Sequence, residues 1–276
     1  MTRVFISCDM EGVAGIADWE QVSPGPAGEL GRRLLLAEVN AAIDGALAGG
    51  ATGFLVNDAH GSMQNLAPQH LHGEAEYCSG RHKPLYMMEG LDPSFGVAFF
   101  LGYHGASDGP PSVLSHTYNP AAIMGVSLDG RLVGESGINA LVAQQQRVPV
   151  ALISGDQHTA KQAEAVLPGV DAVVVKESVT RFAARSLHPA VARRLIAQAA
   201  KRSLGRLEAL PPPAIPAPVS LRVRLRHADL AQLATRVRGV SLLNHLEVEV
   251  AGDDPQDVFG NFVAVVQLTR GLAQER

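Results

Sequence analysis

Short, continuous apolar runs separated by helical patterns limit the fold of this chain more than any other feature of its sequence. The runs are rich in valine, leucine and phenylalanine and lie at residues 3–8, 53–58, 97–104, 149–156 and 171–177. Runs of this length suit parallel strands that are covered by helices on both faces. After the first run, residues 29–47 repeat apolar side chains at helical spacing and stop at Gly49 and Gly50. The sequence therefore predicts an α/β fold with a mostly parallel sheet flanked by helices.

Three further patterns complete the predicted secondary structure of this part. Asp129 and Gly130 lie between two short apolar segments, which predicts a hairpin turn. Residues 136–146 and 189–206 have helical patterns. Because a hairpin joins antiparallel strands, we expect the sheet to be mixed rather than purely parallel.

The C-terminal quarter has a different pattern. Residues 211–218 are proline-rich and cannot continue a helix, so we predict a linker there, between a larger domain at 1–210 and a small α+β domain at 219–276. Residues 220–227 and 245–250 alternate apolar with charged side chains, which is typical of strands with one apolar and one charged face. If these two strands pair, their arginines and glutamates attract each other across the pair.

Composition excludes several classes of partner. The chain has 276 residues and a formal net charge of −4, which gives no general attraction to nucleic acid or to an acidic membrane surface. No apolar stretch approaches the roughly 20 residues that a membrane span needs, and the first residues lack the pattern of a secretion signal. The two cysteines have no CxxC spacing, which fits buried, reduced thiols. We therefore expect a cytoplasmic protein that binds neither nucleic acid nor membrane.

Three of the apolar runs end in side chains that can bind metal ions. Asp9 and Glu11 follow the first run, Asp58 and His60 follow the second, and His104 ends the third. In open α/β sheets ligands bind at the carboxyl ends of the strands, so these side chains are expected to converge on one crevice. Mixed carboxylate and imidazole ligands suit zinc, manganese or iron better than calcium or magnesium. Each of these three segments taken alone also fits an ordinary turn or helix cap, so the prediction of a metal site depends on their convergence.

The roles of other candidate residues stay open at this point. Glu135 opens the helical pattern at 136–146, where a carboxylate either complements the positive end of the helix or serves as another metal ligand. His116 can exchange protons at neutral pH, as a general acid or base, or can simply be a loop histidine bonded to backbone. His158 is the next candidate among the remaining histidines. The chain contains no HExxH, P-loop or GxSxG motif.

Taken in order, several stretches make the chain similar to the DppA-type D-aminopeptidases, a family of binuclear zinc peptidases. The matching stretches are SCDMEGVAG, LVNDAHG, KPLYMMEGLD, LGYHG, LSHTY and VGESGINA. They cover roughly the first 200 residues closely and the rest of the chain loosely.

The resemblance implies a site and an activity. Asp9, Glu11, His60, His104 and Glu135 would hold two zinc ions per subunit, and His116 would be the catalytic side chain. The implied enzyme is cytoplasmic, with its catalytic domain at 1–210, and removes N-terminal D-residues, notably D-alanine, from short peptides. It would form a ring-shaped homo-oligomer, a decamer, with the active sites facing an inner chamber.

We expect a mechanism in which a metal-activated water attacks the peptide, with Asp9 bridging the two metals because it is central among the ligands. His116 would then move a proton to the leaving amine or stabilise the oxyanion. Two alternatives remain at this level: a two-metal phosphohydrolase or other amidohydrolase, and a non-catalytic metal-binding protein. A phosphohydrolase is expected to have Arg or Lys beside the crevice, and the stretches above place none there obviously.

Overall fold

The predicted parallel strands all lie in one seven-stranded sheet of the computed structural model, which describes residues 1–273. The strands of this sheet are β1 (Thr2–Cys8), β2 (Ala51–Asp58), β3 (Glu76–Cys78), β4 (Val97–Leu101), β7 (Val150–Asp156), β8 (Asp171–Thr180) and β9 (Ala183–Ser186). They are arranged in the order β3-β2-β1-β4-β7-β8-β9. Every neighbouring pair is parallel except β8 and β9. The prediction of a mixed, mostly parallel sheet is therefore confirmed.

The second sheet has five antiparallel strands. They are β5 (Ile123–Leu128), β6 (Arg131–Leu132), β10 (Val219–Leu225), β11 (Val240–Leu242) and β12 (Glu247–Gly252). Their order is β11-β12-β10-β5-β6, so the predicted hairpin at Asp129 and Gly130 joins β5 to β6 in this sheet. The hairpin is therefore not what makes the first sheet mixed, because its strand β5 pairs with β10 from much later in the chain.

The C-terminal strands pair as their alternating pattern predicted. Arg222 lies opposite Glu249, and Arg224 lies opposite Glu247. The Arg222 Nε atom is 3.8 Å from Glu249 Oε1 on a largely exposed face, where such an ion pair adds little stability. Strands on both sides of residues 211–218 belong to this one sheet. The division of the chain into two domains at these residues stays a prediction.

Helices pack against both sheets. They are α1 (Pro26–Ala48), α2 (Glu135–Gln145), α3 (Gln157–Glu164), α4 (Pro189–Leu204), α5 (Ala228–Ala234) and α6 (Pro255–Leu272). Three of them, α1, α2 and α4, match the helices that the sequence predicts to within a few residues. Within residues 1–273, no helix combines the length and the apolar character that crossing a membrane requires.

The two faces of the parallel sheet belong to two apolar cores. Along β1, Val4 and Ile6 point to the core that contains residues of α1 and α4, whereas Phe5 points to the core shared with α2, α6 and the second sheet. All three side chains are fully buried. Because both faces are covered, the strand has no polar face, which explains the continuous apolar run in the sequence. Both cysteines are reduced; Cys8 is buried as expected, but Cys78 is only partly so.

Candidate metal centre

The three strands that precede the predicted ligands are neighbours, with β1 between β2 and β4. Cys8 at the end of β1 is in register with Asp58 on one side and Leu101 on the other. The Asp9 amide donates to the Leu101 carbonyl at 2.8 Å, so the chain leaves β1 still held against β4. The segments that carry Asp9, His60 and His104 therefore leave the sheet at the same edge, as the sequence predicted.

Five predicted ligands come together at this edge. His60 Nδ1 lies 3.1 Å from Asp9 Oδ1 and 3.0 Å from Glu11 Oε2. His104 Nε2 lies 3.4 Å from Asp9 Oδ2 and 3.5 Å from Glu135 Oε2. Asp9 thus presents one carboxylate oxygen to each imidazole and lies at the centre of the cluster.

His116 belongs to the same cluster. Its Nε2 atom is 3.7 Å from Glu135 Oε1, and its ring stacks on that of His104 with the centroids 4.1 Å apart. Within the described residues, two groups can hold a metal ion, each with donor atoms within 4.8 Å of one another. They are Asp9, Glu11 and His60 in one group, and His104, His116 and Glu135 in the other. The geometry allows His116 to be either a ligand or a proton-transfer group.

The remote nitrogen of each imidazole is bound to a backbone carbonyl. The pairs are His60 Nε2 with Val22 O at 2.8 Å, His104 Nδ1 with Gly105 O at 3.0 Å, and His116 Nδ1 with Leu114 O at 2.9 Å. A carbonyl only accepts, so each of these nitrogens carries the proton, and in a neutral ring the nitrogen facing the carboxylates has a lone pair. His104 Nε2 is buried and makes no hydrogen bond within the described residues.

The carboxylates of the cluster are almost fully buried, with Asp9 and Glu135 3% exposed and Glu11 1% exposed. Burial alone raises the pKa of Asp9, but the neighbouring imidazoles of His104 and His60 outweigh it and hold that pKa well below its usual value. Burial alone lowers the pKa of His60 and His104, but the carboxylates, chiefly Glu11 and Glu135 respectively, raise both pKa values well above normal. Three buried negative charges require positive charge among them.

His116 differs from the other two imidazoles. Its pKa is lowered, first by burial and then by the nearby charge of His104, so it is the neutral imidazole of the cluster at pH 7. Trp19 covers it with the ring centroids 5.5 Å apart. The cluster as a whole offers buried carboxylate oxygens and inward-facing imidazole nitrogens, and zinc-like cations would replace the inward protons of His60 and His104.

The loop that carries Glu11 is held by a buried lysine that sequence reasoning missed. Lys176, on β8, is 1% exposed. Its ammonium group donates to the carbonyls of Glu11, Val13 and Ile16, the last two at 3.0 and 2.7 Å. Glu38 on α1 accepts from the Ala14 amide at 2.9 Å. The sequence signal that could have identified it is a charged residue inside the apolar run DAVVVKE.

Two glycines bring this loop against the loop after β4. The Gly12 amide donates to the Gly102 carbonyl at 2.7 Å. A Cβ at Gly12 would lie 1.9 Å from the Tyr103 carbonyl oxygen, and one at Gly102, where φ is +70°, would lie 2.1 Å from the Asp9 carbonyl oxygen. No other residue allows this approach, so the two glycines set how close Asp9 and His104 can lie.

Two other candidates lie outside the cluster. The Asp58 carboxylate accepts hydrogen bonds from the Asn65 backbone amide at 2.6 Å and the Tyr77 hydroxyl at 2.6 Å. It therefore stabilises the loop after β2 and does not belong to the metal cluster. His158 opens α3, where its Nε2 is 3.1 Å from Gln157 Nε2. It belongs to neither metal-capable group of the described residues.

The cluster opens into a cavity of about 510 Å³ that also contains basic residues. Asp9, Glu11, His60, His116 and Glu135 line it, and Arg32, Arg81 and Arg270 line it as well. None of these three arginines lies in the stretches that carry the family resemblance, which is why the sequence did not point to basic residues beside the crevice. These arginines come from segments distant in sequence, which no local pattern brings together.

Comparison with known proteins defines the class of protein that has this fold and cluster. A sequence model of a family described as D-aminopeptidase matches residues 2–264, and the chain therefore belongs to that family. It is 37% identical over 244 residues to a D-aminopeptidase of Bacillus subtilis (strain 168), which covers 87% of each protein.

A solved structure extends the comparison to the whole chain. It is described as the Zn-dependent D-aminopeptidase DppA from Bacillus subtilis, a self-compartmentalizing protease, and it matches with a TM-score of 0.92 at 32% identity. The match covers 100% of this chain and 99% of that chain. The resemblance drawn from the sequence stretches is confirmed, as is the α/β fold that it implies.

Proposed function

We propose that this D-aminopeptidase holds two zinc ions per chain in the buried cluster, with Asp9 as the bridging ligand. The proposal is carried by one observation: Asp9 directs one oxygen to the group with Glu11 and His60, and the other toward His104 and Glu135. Zinc is supported by the donor set and by the relative described as Zn-dependent. Bound zinc supplies a Lewis acid that lowers the pKa of water and polarises a peptide carbonyl.

We assign the proton transfer to His116. Its Nδ1–H is fixed on the Leu114 carbonyl, which directs a neutral Nε2 toward Glu135. That nitrogen can accept a proton from the attacking water and return it to the leaving amine. The Trp19 ring beside it limits the access of bulk water. Glu135 Oε1 also accepts from the Tyr118 amide at 2.7 Å, which keeps the carboxylate oriented between His104 and His116.

The role of His116 is tested by His116→Ala. As a proton-transfer group, it should be needed for turnover but not for metal binding. The variant should therefore lose activity by about 100-fold or more while its zinc content equals that of the wild type. Loss of zinc from the variant would make His116 a ligand instead.

We propose short peptides with an N-terminal D-alanine as substrates. A cavity of about 510 Å³ lies within the size range of small-molecule sites and suits a peptide of a few residues. The family description supports the stereochemistry of the substrate. The buried position of the cluster at the carboxyl ends of three strands favours a short peptide over a folded protein chain.

We propose that the chain forms a ring-shaped homo-oligomer, a decamer, in the cytoplasm. Support comes from the relative described as a self-compartmentalizing protease. Large apolar side chains on the surface, such as Val179 at 67% and Phe182 at 53% exposure, offer contact area for another subunit. Native mass spectrometry of the purified protein gives the subunit number directly, and a monomer would contradict the proposal.

One assay separates this function from its alternatives. The zinc-loaded and the chelated protein are given D-Ala-D-Ala, L-Ala-L-Ala and a phosphate monoester. We expect zinc-dependent hydrolysis of D-Ala-D-Ala alone. Because arginines line the cavity, the phosphohydrolase is a real competitor, and hydrolysis of the ester alone would establish it. No turnover by zinc-loaded protein would favour a metal-binding protein without activity.

A further inference from the structure

The cavity of the metal centre has a second polar region that the proposed chemistry does not use. Apart from the carboxylates of the cluster, no acidic residue lines the cavity within the described part of the chain, yet the three arginines do. A carboxylate-rich end at the metal centre combined with guanidinium groups elsewhere fits a ligand that is cationic at one end and anionic at the other.

The three arginines are not equivalent. Arg32 is paired with Glu29 on the same helix, and Arg81 is exposed with no described hydrogen bond. Arg270 on α6 is half-buried, and one of its nitrogens, Nη2, donates to the Tyr86 hydroxyl at 2.8 Å. A guanidinium group has five N–H donors, so this single bond fixes its position while leaving donors for a ligand.

Two tyrosines connect Arg270 to the metal centre. The Tyr86 ring packs on the Tyr118 ring with the centroids 5.2 Å apart, and the Tyr118 amide donates to Glu135. Both tyrosines have a positive φ, 49° and 58°, a conformation that bulky residues rarely adopt. Such strain persists where the surrounding structure fixes it and is concentrated at functional sites.

Asn119, another residue of the cavity wall, has a side-chain donor without a partner in the described residues. The Asn119 Oδ1 atom accepts from the Ala121 amide at 3.1 Å, which fixes the orientation of the side-chain amide. Its Nδ2 atom is then buried with no partner in the described residues, on a residue that lines the same cavity. A buried donor normally has an acceptor, but solvent does not reach this atom, so Asn119 offers no donor to a ligand in the cavity.

We propose that Arg270 binds the C-terminal carboxylate of short peptide substrates, with Arg81 adding positive charge to the same cavity. An extended peptide of two or three residues spans about 7–11 Å, and Arg270 and Glu135 line the same cavity of about 510 Å³. Arginine matches a planar carboxylate with two parallel hydrogen bonds. The inference rests on the proposed peptidase function and narrows its substrates to peptides with a free C-terminus.

The test compares D-Ala-D-Ala with its C-terminal amide, which differs only in the charged group that Arg270 would bind. We expect the wild type to prefer the free acid by about 10- to 100-fold in kcat/KM, mainly through KM. Arg270→Ala should lose this preference. Its kcat/KM for the free acid should fall, while its kcat/KM for the amide should stay within about twofold of the wild-type value. Arg270→Lys, which keeps the charge but not the paired geometry, should fall between them.

Arg32→Ala is the matched control, because it removes a guanidinium group from the same cavity that is already paired with Glu29. It should keep the wild-type ratio of the two rate constants. Zinc content and the thermal unfolding midpoint are measured for every variant, so that misfolding is recognised, and Arg270→Lys carries the test if Arg270→Ala does not fold.

Three results would overturn the inference. The wild type could hydrolyse the amide as fast as the acid, or Arg270→Ala could slow both substrates equally. Alternatively, turnover of a phosphate monoester could depend on Arg270 while the peptides are unaffected, which would make the bound anion a phosphate. Failure of the proposed function itself looks different, since the zinc-loaded wild type would then hydrolyse neither peptide.

Discussion

Replacing Lys176 by methionine tests how the loop that carries Glu11 is held. The ammonium group of Lys176 bonds three backbone carbonyls, those of Glu11, Val13 and Ile16, and methionine fills a similar volume without any donor. The substitution therefore leaves buried carbonyls unpaired at residues 11–16, while the apolar packing of the stem is largely kept.

The size of the effect follows from two opposing contributions. Each buried carbonyl that loses its donor costs about 1–3 kcal/mol. In the other direction, burial lowers the pKa of Lys176 from 10.5 to about 8, a shift that corresponds to roughly 3 kcal/mol of charge burial that methionine avoids. We expect a net loss of about 3 kcal/mol in the free energy of unfolding.

Unfolding by urea in the presence of a chelator measures this loss without a contribution from bound metal. Lys161→Met, the same substitution at an exposed position on α3, is the matched control and should change the free energy of unfolding by less than about 0.5 kcal/mol. Because the lysine positions Glu11, the zinc affinity of Lys176→Met should also fall by about 10- to 100-fold. Equal stability and equal zinc affinity in the two variants would refute this account of the loop.

Three more predictions concern charge, metal and packing. Burial raises the pKa of Glu38 from 4.5 to about 7, so the wild type loses stability as the pH rises from about 4.5 to about 7 and this carboxyl group ionises. Relative to the wild type, the free energy of unfolding of Glu38→Gln should be unchanged below that range and should rise across it by up to about 3 kcal/mol. A difference in urea unfolding that does not vary with pH would contradict this. Asp9→Asn should bind fewer zinc ions per chain than Glu135→Gln by elemental analysis, and equal losses would argue against a bridging Asp9. Gly12→Ala, with its Cβ 1.9 Å from a carbonyl oxygen, should lower the free energy of unfolding by about 2–3 kcal/mol. Gly260→Ala, with no atom within 4 Å, should raise it by about 0.5–1 kcal/mol, and similar effects of the two changes would show that the close approach at Gly12 is unimportant.

The parallel sheet was predictable because its strands are covered on both faces. Burial on both sides makes each strand a continuous apolar run, a local signal that needs no knowledge of partners. The partner of a strand is a different matter. The hairpin strand β5 is paired with β10, about ninety residues later, and no local sequence pattern predicts this pairing. For this reason the sequence predicted a mixed sheet from the wrong strands. The hairpin belongs to the second sheet, and the antiparallel pair of the first sheet is β8 with β9.

The convergence of Asp9, His60 and His104 was predictable because each follows a strand, and parallel strands bring their carboxyl ends to one edge. Glu135 lies at the start of a helix, where its position left two roles open, and only the family resemblance favoured the metal ligand. Lys176 acts on carbonyls at least 160 residues earlier in the chain. Arg270 enters the cavity from the last helix, outside the residues that the family model matches, so its position is known only from the folded chain.

The central claim is that two zinc ions in one buried cluster make this chain a D-aminopeptidase. It is tested most directly by adding zinc in steps to the chelated protein while following the hydrolysis of D-Ala-D-Ala. Because Asp9 belongs to one metal-capable group and its other oxygen lies 3.4 Å from His104 of the second, the proposed bridging role predicts maximal activity at two zinc ions per chain. A maximum at one zinc per chain, or full activity in the chelated protein, would contradict the account.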